Sequence, residues 1–157
     1  MTIQKLPSRE WEPQSFVQTV QSVSGKQVGV IFFDVDLTLV SHDKSGTNLF
    51  RKDARGTILA LHDAGWEIRL WSAGGKDYAK QIAVLMAGVT SRISGFHDKA
   101  AFGASYEEVV EHLGLVPDII VDDDAGEFVK GIPLLHVRPF YEDQNLDKIA
   151  LRNYLKS

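Results

Sequence analysis

An α/β fold, one parallel sheet between two layers of helix, is what this 157-residue sequence predicts. Three observations carry that reading. Short apolar runs alternate with stretches of helical periodicity, and strands separated by helices pair in parallel because a parallel neighbour needs a crossover. The run from Val28 to Phe33 is almost wholly apolar, as a strand covered on both faces must be. Three of the runs end abruptly in acids, hydroxyls or glycines, and in open parallel sheets sites form beyond the carboxyl ends of the strands. The length suits one domain, residues 1–157, with no repeat or linker to divide it.

Taken in order, residues 1–26 form a polar N-terminal segment in which Phe16, Val20 and Val23 recur at helical spacing, predicting a short helix packed on the core. Val28–Phe33 is the first strand. Residues 39–48, with Ser41, Asp43, Ser45 and Gly46, read as loop. Ala54, Ile58 and Leu61 line one face of a helix over 52–64, which Gly65 stops. "EIRLW", Glu67–Trp71, is the second strand, and "SAGGK" turns into a helix over 77–87. "SRISGF" reads as a short strand or a loop. Ser105, with Glu108 three residues on, predicts a capping box and a helix ending at Leu113–Gly114. "DIIVDDD" is a third strand tipped with acids, "IPLLHV" a fourth, and 145–155 a terminal helix.

Composition removes several function classes. A formal net charge of -4 gives no global pull toward nucleic acid or anionic membranes. Without cysteine there is neither disulfide nor thiolate chemistry. The five histidines are scattered, with no metal-ligand spacing. Neither a signal-peptide core nor a bilayer-spanning run is present, so the cytoplasm is the expected location.

The strand ends should meet in one crevice. The first supplies Asp34 and Asp36, the second Ser72 with Gly74 and Gly75, the third Asp122, Asp123 and Asp124. Carboxylates that face one another are costly unless a cation joins them. All-oxygen ligands suit a hard divalent ion, Mg2+ above all.

Asp34-Val-Asp36-Leu-Thr38 after an apolar strand resembles the DxDxT motif I of the haloacid dehalogenase superfamily of phosphohydrolases. "RLWSAG", ending at Ser72, resembles motif II, and "IIVDDD" resembles the acidic motif IV. The resemblance runs from about Val28 to Ile132, and three motifs in order make it specific. It implies a Rossmann-like core, with Asp34 as the nucleophile that forms an aspartyl-phosphate and Asp36 as general acid and base. It implies Mg2+ on Asp34, the Asp36 carbonyl and Asp123, with Asp122 beside them and Glu127 four residues beyond Asp123. Ser72, Ala73 and Gly74 would hold phosphoryl oxygens, and a motif III lysine would complete the site. Lys99 fits its window and is preferred to Lys76, although the lysine–proline pairing common in relatives is missing.

Caps in this superfamily enter between motifs I and II or II and III. Here the first interval has room for a loop and one helix, the second for one helix and a short strand. The resemblance therefore implies a capless member, acting on a phosphorylated small molecule or macromolecule. Its open site could also be covered by a second subunit, with Trp11, Phe16 and Val20 as docking groups of a homo-oligomer. Two alternatives stand beside the phosphatase reading: a non-catalytic binding or regulatory module on the same fold, and a receiver-like phosphoacceptor domain. Around the site, His42 and Asp43 read as a solvated loop before substrate contacts, Trp71 as core before the site's rim, Asp124 as a solvated or capping acid, and Arg138 and Tyr141 as surface-loop residues before substrate binders.

Overall fold

The computed structural model describes residues 3–7, 11–99, 106–127 and 129–141. The chain opens with a strand, β1 (Ile3–Lys5), then a helix, α1 (Pro13–Ser24). The Glu12 carboxylate caps α1 by accepting the N–H groups of Gln14 (3.2 Å) and Ser15 (2.6 Å), and Pro13 needs no partner at the first helical position. Gly25, at φ 72°, ends it. Next come β2 (Val30–Asp34), β3 (Val40–His42), β4 (Asn48–Phe50), α2 (Ala54–Asp63), β5 (Glu67–Ser72), α3 (Lys76–Leu85) and β6 (Ile93–Asp98). The helix α4 (Tyr106–Leu113) and the strands β7 (Ile119–Asp122) and β8 (Leu134–His136) follow.

Six strands form one sheet in the order β1-β8-β7-β2-β5-β6, every pair parallel. Side chains alternate across it. Ile31 and Phe33 of β2, Ile68 and Leu70 of β5, and Ile119 and Val121 of β7 join α1, α2 and α3 in one core. Phe32, Trp71 and Ile120 face the other way and pack with Val109 and Leu113 of α4. The sheet is thus covered on both faces, as its apolar strands require. No described helix is long and apolar enough to cross a membrane.

Several boundaries depart from expectation. β2 begins at Val30, not Val28, which is 53% exposed. The Val30 N–H is fixed by the Asp118 carboxylate at 2.7 Å. A Cβ on Gly29 would lie 2.4 Å from that carboxylate, so any side chain there would have to displace it. Residues 39–48 are not a loop: β3 and β4 make an antiparallel hairpin, with Val40 opposite Phe50. Its turn is built on the Asp43 carboxylate, which accepts the N–H groups of Ser45 and Thr47 at 2.9 and 2.8 Å. "SRISGF" becomes a full edge strand, β6, paired with β5. Gly65 does stop α2: Gly65 N–H reaches His62 O and Trp66 N–H reaches Leu61 O, the double bond pattern of a glycine C-cap.

The N-terminal segment packs on the core, but it adds a strand, β1, that sequence periodicity did not indicate. Trp11, Phe16 and Val20 are at most 1% exposed inside this chain's own core, so they are not docking groups for a second subunit. Ser105 and the proposed helix over 145–155 lie outside the described residues.

Candidate active site

Three parallel strands stop side by side and deliver their last side chains to one edge. Asp34 ends β2 and is 6% exposed. The chain then turns tightly. The Val35 carbonyl accepts the N–H groups of Thr38, Leu39 and Val40, and Leu37 adopts φ 64°, a left-handed conformation that costs a branched residue roughly 1–2 kcal/mol. This turn swings Thr38 back under Asp34. The Thr38 hydroxyl lies 3.0 Å from Asp34 Oδ2 and 3.1 Å from Asp123 Oδ1, and it accepts the Asp123 N–H at 3.1 Å. A hydroxyl carries one hydrogen, so Thr38 serves one of the two carboxylates at a time.

Arg51, just past β4, holds this turn from behind. Its Nε donates to Thr38 O at 2.7 Å, and its Nη2 donates to Leu37 O at 3.2 Å and to the Arg138 carbonyl. The guanidinium lies over the rings of Trp11 and Phe140. Phe140 N–H also bonds Leu37 O, so the segment following β8 is tied to the turn after β2. Arg138 is 7% exposed and thus buried, unlike the surface-loop residue expected.

Asp122 ends β7 fully buried, with Asp123 and Asp124 after it. Asp124 N–H bonds Asp122 Oδ1, and the Asp124 carboxylate caps Gly126. His136 Nε2 lies 3.0 Å from the Asp123 carbonyl, steadying this end of β7 from β8. Lys99 follows β6, and its Nζ sits 2.8 Å from Asp34 Oδ1 and 2.7 Å from Asp122 Oδ2. To reach them it passes over the Trp71 ring, 5.8 Å from its centroid. Lys76 is exposed, and its backbone N–H is taken by the Asp98 carboxylate at 2.8 Å. Lys99, not Lys76, is therefore the lysine among the acids.

Carboxylate oxygens of Asp34, Asp122 and Asp123 all lie within 4.8 Å of one another. Burial, then the Asp34 charge, raises the Asp122 carboxyl above its ordinary value. Burial and then the hydrogen bond and charge of Asp34 raise Asp123 likewise. For Lys99, burial pulls the ammonium down, but the Asp34 and Asp122 charges outweigh it and hold it above the ordinary lysine value. With all three carboxylates ionised, the one ammonium would leave a surplus of two negative charges, which a divalent cation would offset. The donors are all oxygen, so these residues fit a hard ion such as Mg2+.

Asp36 stands apart. Its side chain is 51% exposed and does not belong to the three-carboxylate cluster, so any part it takes in holding an ion falls to its backbone carbonyl. Its Oδ1 accepts the Tyr78 hydroxyl, and His42 Nε2 lies 3.3 Å from the same oxygen and 2.9 Å from Tyr78 Oη. Burial, then the Asp36 carboxylate, raises the Tyr78 phenol. Tyr78 escaped sequence analysis altogether, and His42 sits on β3, not on a solvated loop.

Ser72 ends β5 and is 2% exposed. Its Oγ accepts Gly74 N–H at 3.0 Å, closing a turn that leaves Ala73 and Gly74 exposed beside the acids' strand. A Cβ on Gly74 would sit 3.1 Å from the Tyr78 ring and 3.3 Å from Ser72 Oγ. Gly75 adopts φ 105° at the start of α3. The side chain of Glu127 lies outside the described residues.

Fold and site together define a parallel α/β protein with a buried, lysine-bridged carboxylate cluster at the carboxyl edge of its sheet. No protein-family profile matches this chain. No curated protein sequence matches it either. Among solved structures it is similar to one from Vibrio cholerae to which 3-deoxy-D-manno-octulosonate 8-phosphate phosphatase activity has been attributed. The identity is 16%, the TM-score 0.40, and the likeness covers 95% of this chain and 92% of that one. A likeness that distant leaves the chemistry of the site to be read from its own residues.

Proposed function

We propose that this chain is a capless phosphohydrolase of the haloacid dehalogenase type, transferring a phosphoryl group to Asp34 and then to water. The supporting observation is the placement of one buried carboxylate, Asp34, between a lysine ammonium and a threonine hydroxyl at the end of the central strand. The ammonium holds Oδ1, and the hydroxyl holds Oδ2 when its one hydrogen is turned to Asp34, so the carboxylate is aimed before a substrate arrives. Preorganisation of this kind is the protein's main contribution to phosphoryl transfer.

An oxygen of Asp34 attacks phosphorus while the bond from phosphorus to the leaving oxygen breaks. Asp36 gives that oxygen a proton, then takes one from the water that attacks the aspartyl-phosphate. Orthophosphate leaves, and Asp34 is regenerated. Lys99 and the turn Ser72-Ala73-Gly74 hold the phosphoryl oxygens. Asp34, Asp123 and the Asp36 carbonyl would hold a Mg2+, with Asp122 bridging to Lys99. When bound, the ion supplies charge neutralisation for the transferring group.

Rapid quench with phosphorus-labelled 4-nitrophenyl phosphate, with and without Mg2+, tests the reading. Label should map to Asp34, and Asp34→Asn should neither take label nor turn over. Label on Asp122 or Asp123 would favour a receiver-like phosphoacceptor, and an unlabelled, inactive chain a binding module.

A further inference from the structure

The three carboxylates of the cluster are held by burial and by Lys99 and Thr38, but Asp36 has no such support. Its side chain is half exposed, and an exposed aspartate samples several rotamers. A general acid must instead lie within about 2.6–3.2 Å of the atom it protonates. Two side chains from separate elements supply what burial does not. Tyr78, in the first turn of α3, donates its hydroxyl hydrogen to Asp36 Oδ1. That hydroxyl has one hydrogen, so its oxygen is left to accept, and His42 of β3 is placed to donate from Nε2 at 2.9 Å. The same ring nitrogen reaches Asp36 Oδ1 at 3.3 Å. Tyr78 anchors Oδ1 directly, and the single Nε2 hydrogen of His42 serves either Tyr78 Oη or Oδ1, which leaves Oδ2 to exchange the proton.

The anchor is tied to the turn that precedes α3. Gly75 N–H bonds Ser72 O, and Asp98 caps Lys76, so the start of α3 is fixed to the ends of β5 and β6. Gly74 is the residue whose missing side chain admits the Tyr78 ring. The turn read as the phosphoryl cradle and the tether of Asp36 are thus one rigid piece.

We propose that Tyr78 and His42 are positioning residues that fix the Asp36 carboxylate for proton transfer to the leaving group and from water, an inference that rests on the reading of Asp36 as general acid and base. Neither residue touches the reacting atoms. Their effect should therefore appear only where the proton matters.

The test is a leaving-group series, from 4-nitrophenyl to alkyl phosphates, on the full chain with Mg2+. Tyr78→Phe keeps the ring and removes the hydrogen bond. It should lower kcat on alkyl phosphates by about ten- to a hundredfold, within the span of general acid assistance, and leave KM unchanged. Formation of the aspartyl-phosphate from 4-nitrophenyl phosphate should change by less than about threefold, because nitrophenolate needs no proton. His42→Gln, which keeps a donor, should retain most of the activity that His42→Ala loses. In an Asp36→Asn background, Tyr78→Phe should add no further loss, since the two act as a unit. Equal losses across the series, a loss that multiplies with that of Asp36→Asn, or no change in either Tyr78→Phe or His42→Ala would overturn the inference. If Asp34→Asn keeps wild-type turnover, the reading of the site itself has failed, and that result is distinct from the others.

Discussion

Arg51→Met isolates what a buried guanidinium does behind the turn after β2. Methionine approximates the arginine stem and offers no donor. The substitution strips the Thr38 carbonyl of a 2.7 Å partner and the Arg138 carbonyl of its bond to Nη2. Leu37 O is less affected, because it keeps Phe140 N–H at 2.8 Å. Hydrogen bonds to a charged group contribute roughly 1.5–3 kcal/mol each, so two lost bonds amount to about 3–6 kcal/mol. The contacts with Trp11 and Phe140 add about 0.5–1 kcal/mol apiece. Against this, methionine no longer carries the desolvation of a buried cation, an offset of several kcal/mol. The net loss expected is about 2–4 kcal/mol, read as a lower urea midpoint with an unchanged slope. A loss below about 1 kcal/mol would refute the idea that Arg51 clamps the turn, and would leave it as packing.

Three further outcomes follow from other sites. Glu12→Ala should lower stability at neutral pH, with the difference shrinking in acid: hydrogen bonds from Ser15 and Gln14 depress the Glu12 carboxyl below its ordinary value, so its contribution is present above that value and is lost as pH falls through the depressed one; parallel urea titrations of both proteins at several pH values would show it, and a pH-independent difference would sink it. Gly29→Ala should cost about 1–3 kcal/mol by pushing Asp118 off Val30 N–H, whereas Gly114→Ala, with φ 73° and open space around it, should cost about 1 kcal/mol, and thermal unfolding that ranks them in the reverse order would contradict the packing account. Millimolar Mg2+ should raise the wild-type melting temperature and raise that of Asp123→Asn less, since an ion that binds only the folded state stabilises by about 2.7 kcal/mol at a hundred times its Kd; equal shifts would place the ion elsewhere.

The acids that end β2 and β7 were legible because each terminates an apolar run, and a carboxylate following three buried residues has few structural reasons to be there. Lys99 was legible only through its spacing from "IIVDDD". Tyr78 was not, because nothing local marks it: its partner Asp36 is 42 positions away, and a tyrosine in the first turn of a helix reads as packing. Arg51 was hidden likewise, since its acceptors lie 13, 14 and 87 positions away and two of its bonds are to carbonyls whose availability depends on the turn itself. The hairpin of β3 and β4 was missed because three-residue strands are too short to show alternation and Asp43, Ser45 and Gly46 dominate the reading. β1 fails for a different reason: an edge strand with two exposed residues out of three has no apolar signature.

The position of β2 bears on how the site comes into being during folding. β2 lies between β5, which begins 33 residues after it ends, and β7, which begins 85 residues after it ends. Both pairings are parallel and non-local, the kind that form slowly because a long loop must close first. A chain in which β2 and β5 have paired but β7 has not yet inserted holds Asp34 and Ser72 without Asp122 or Asp123. In that intermediate Lys99 would face a single acid, and no three-carboxylate cluster would exist. Ion binding at this cluster would therefore report arrival of the last central strand, and a divalent cation held there should act mainly by slowing the departure of β7.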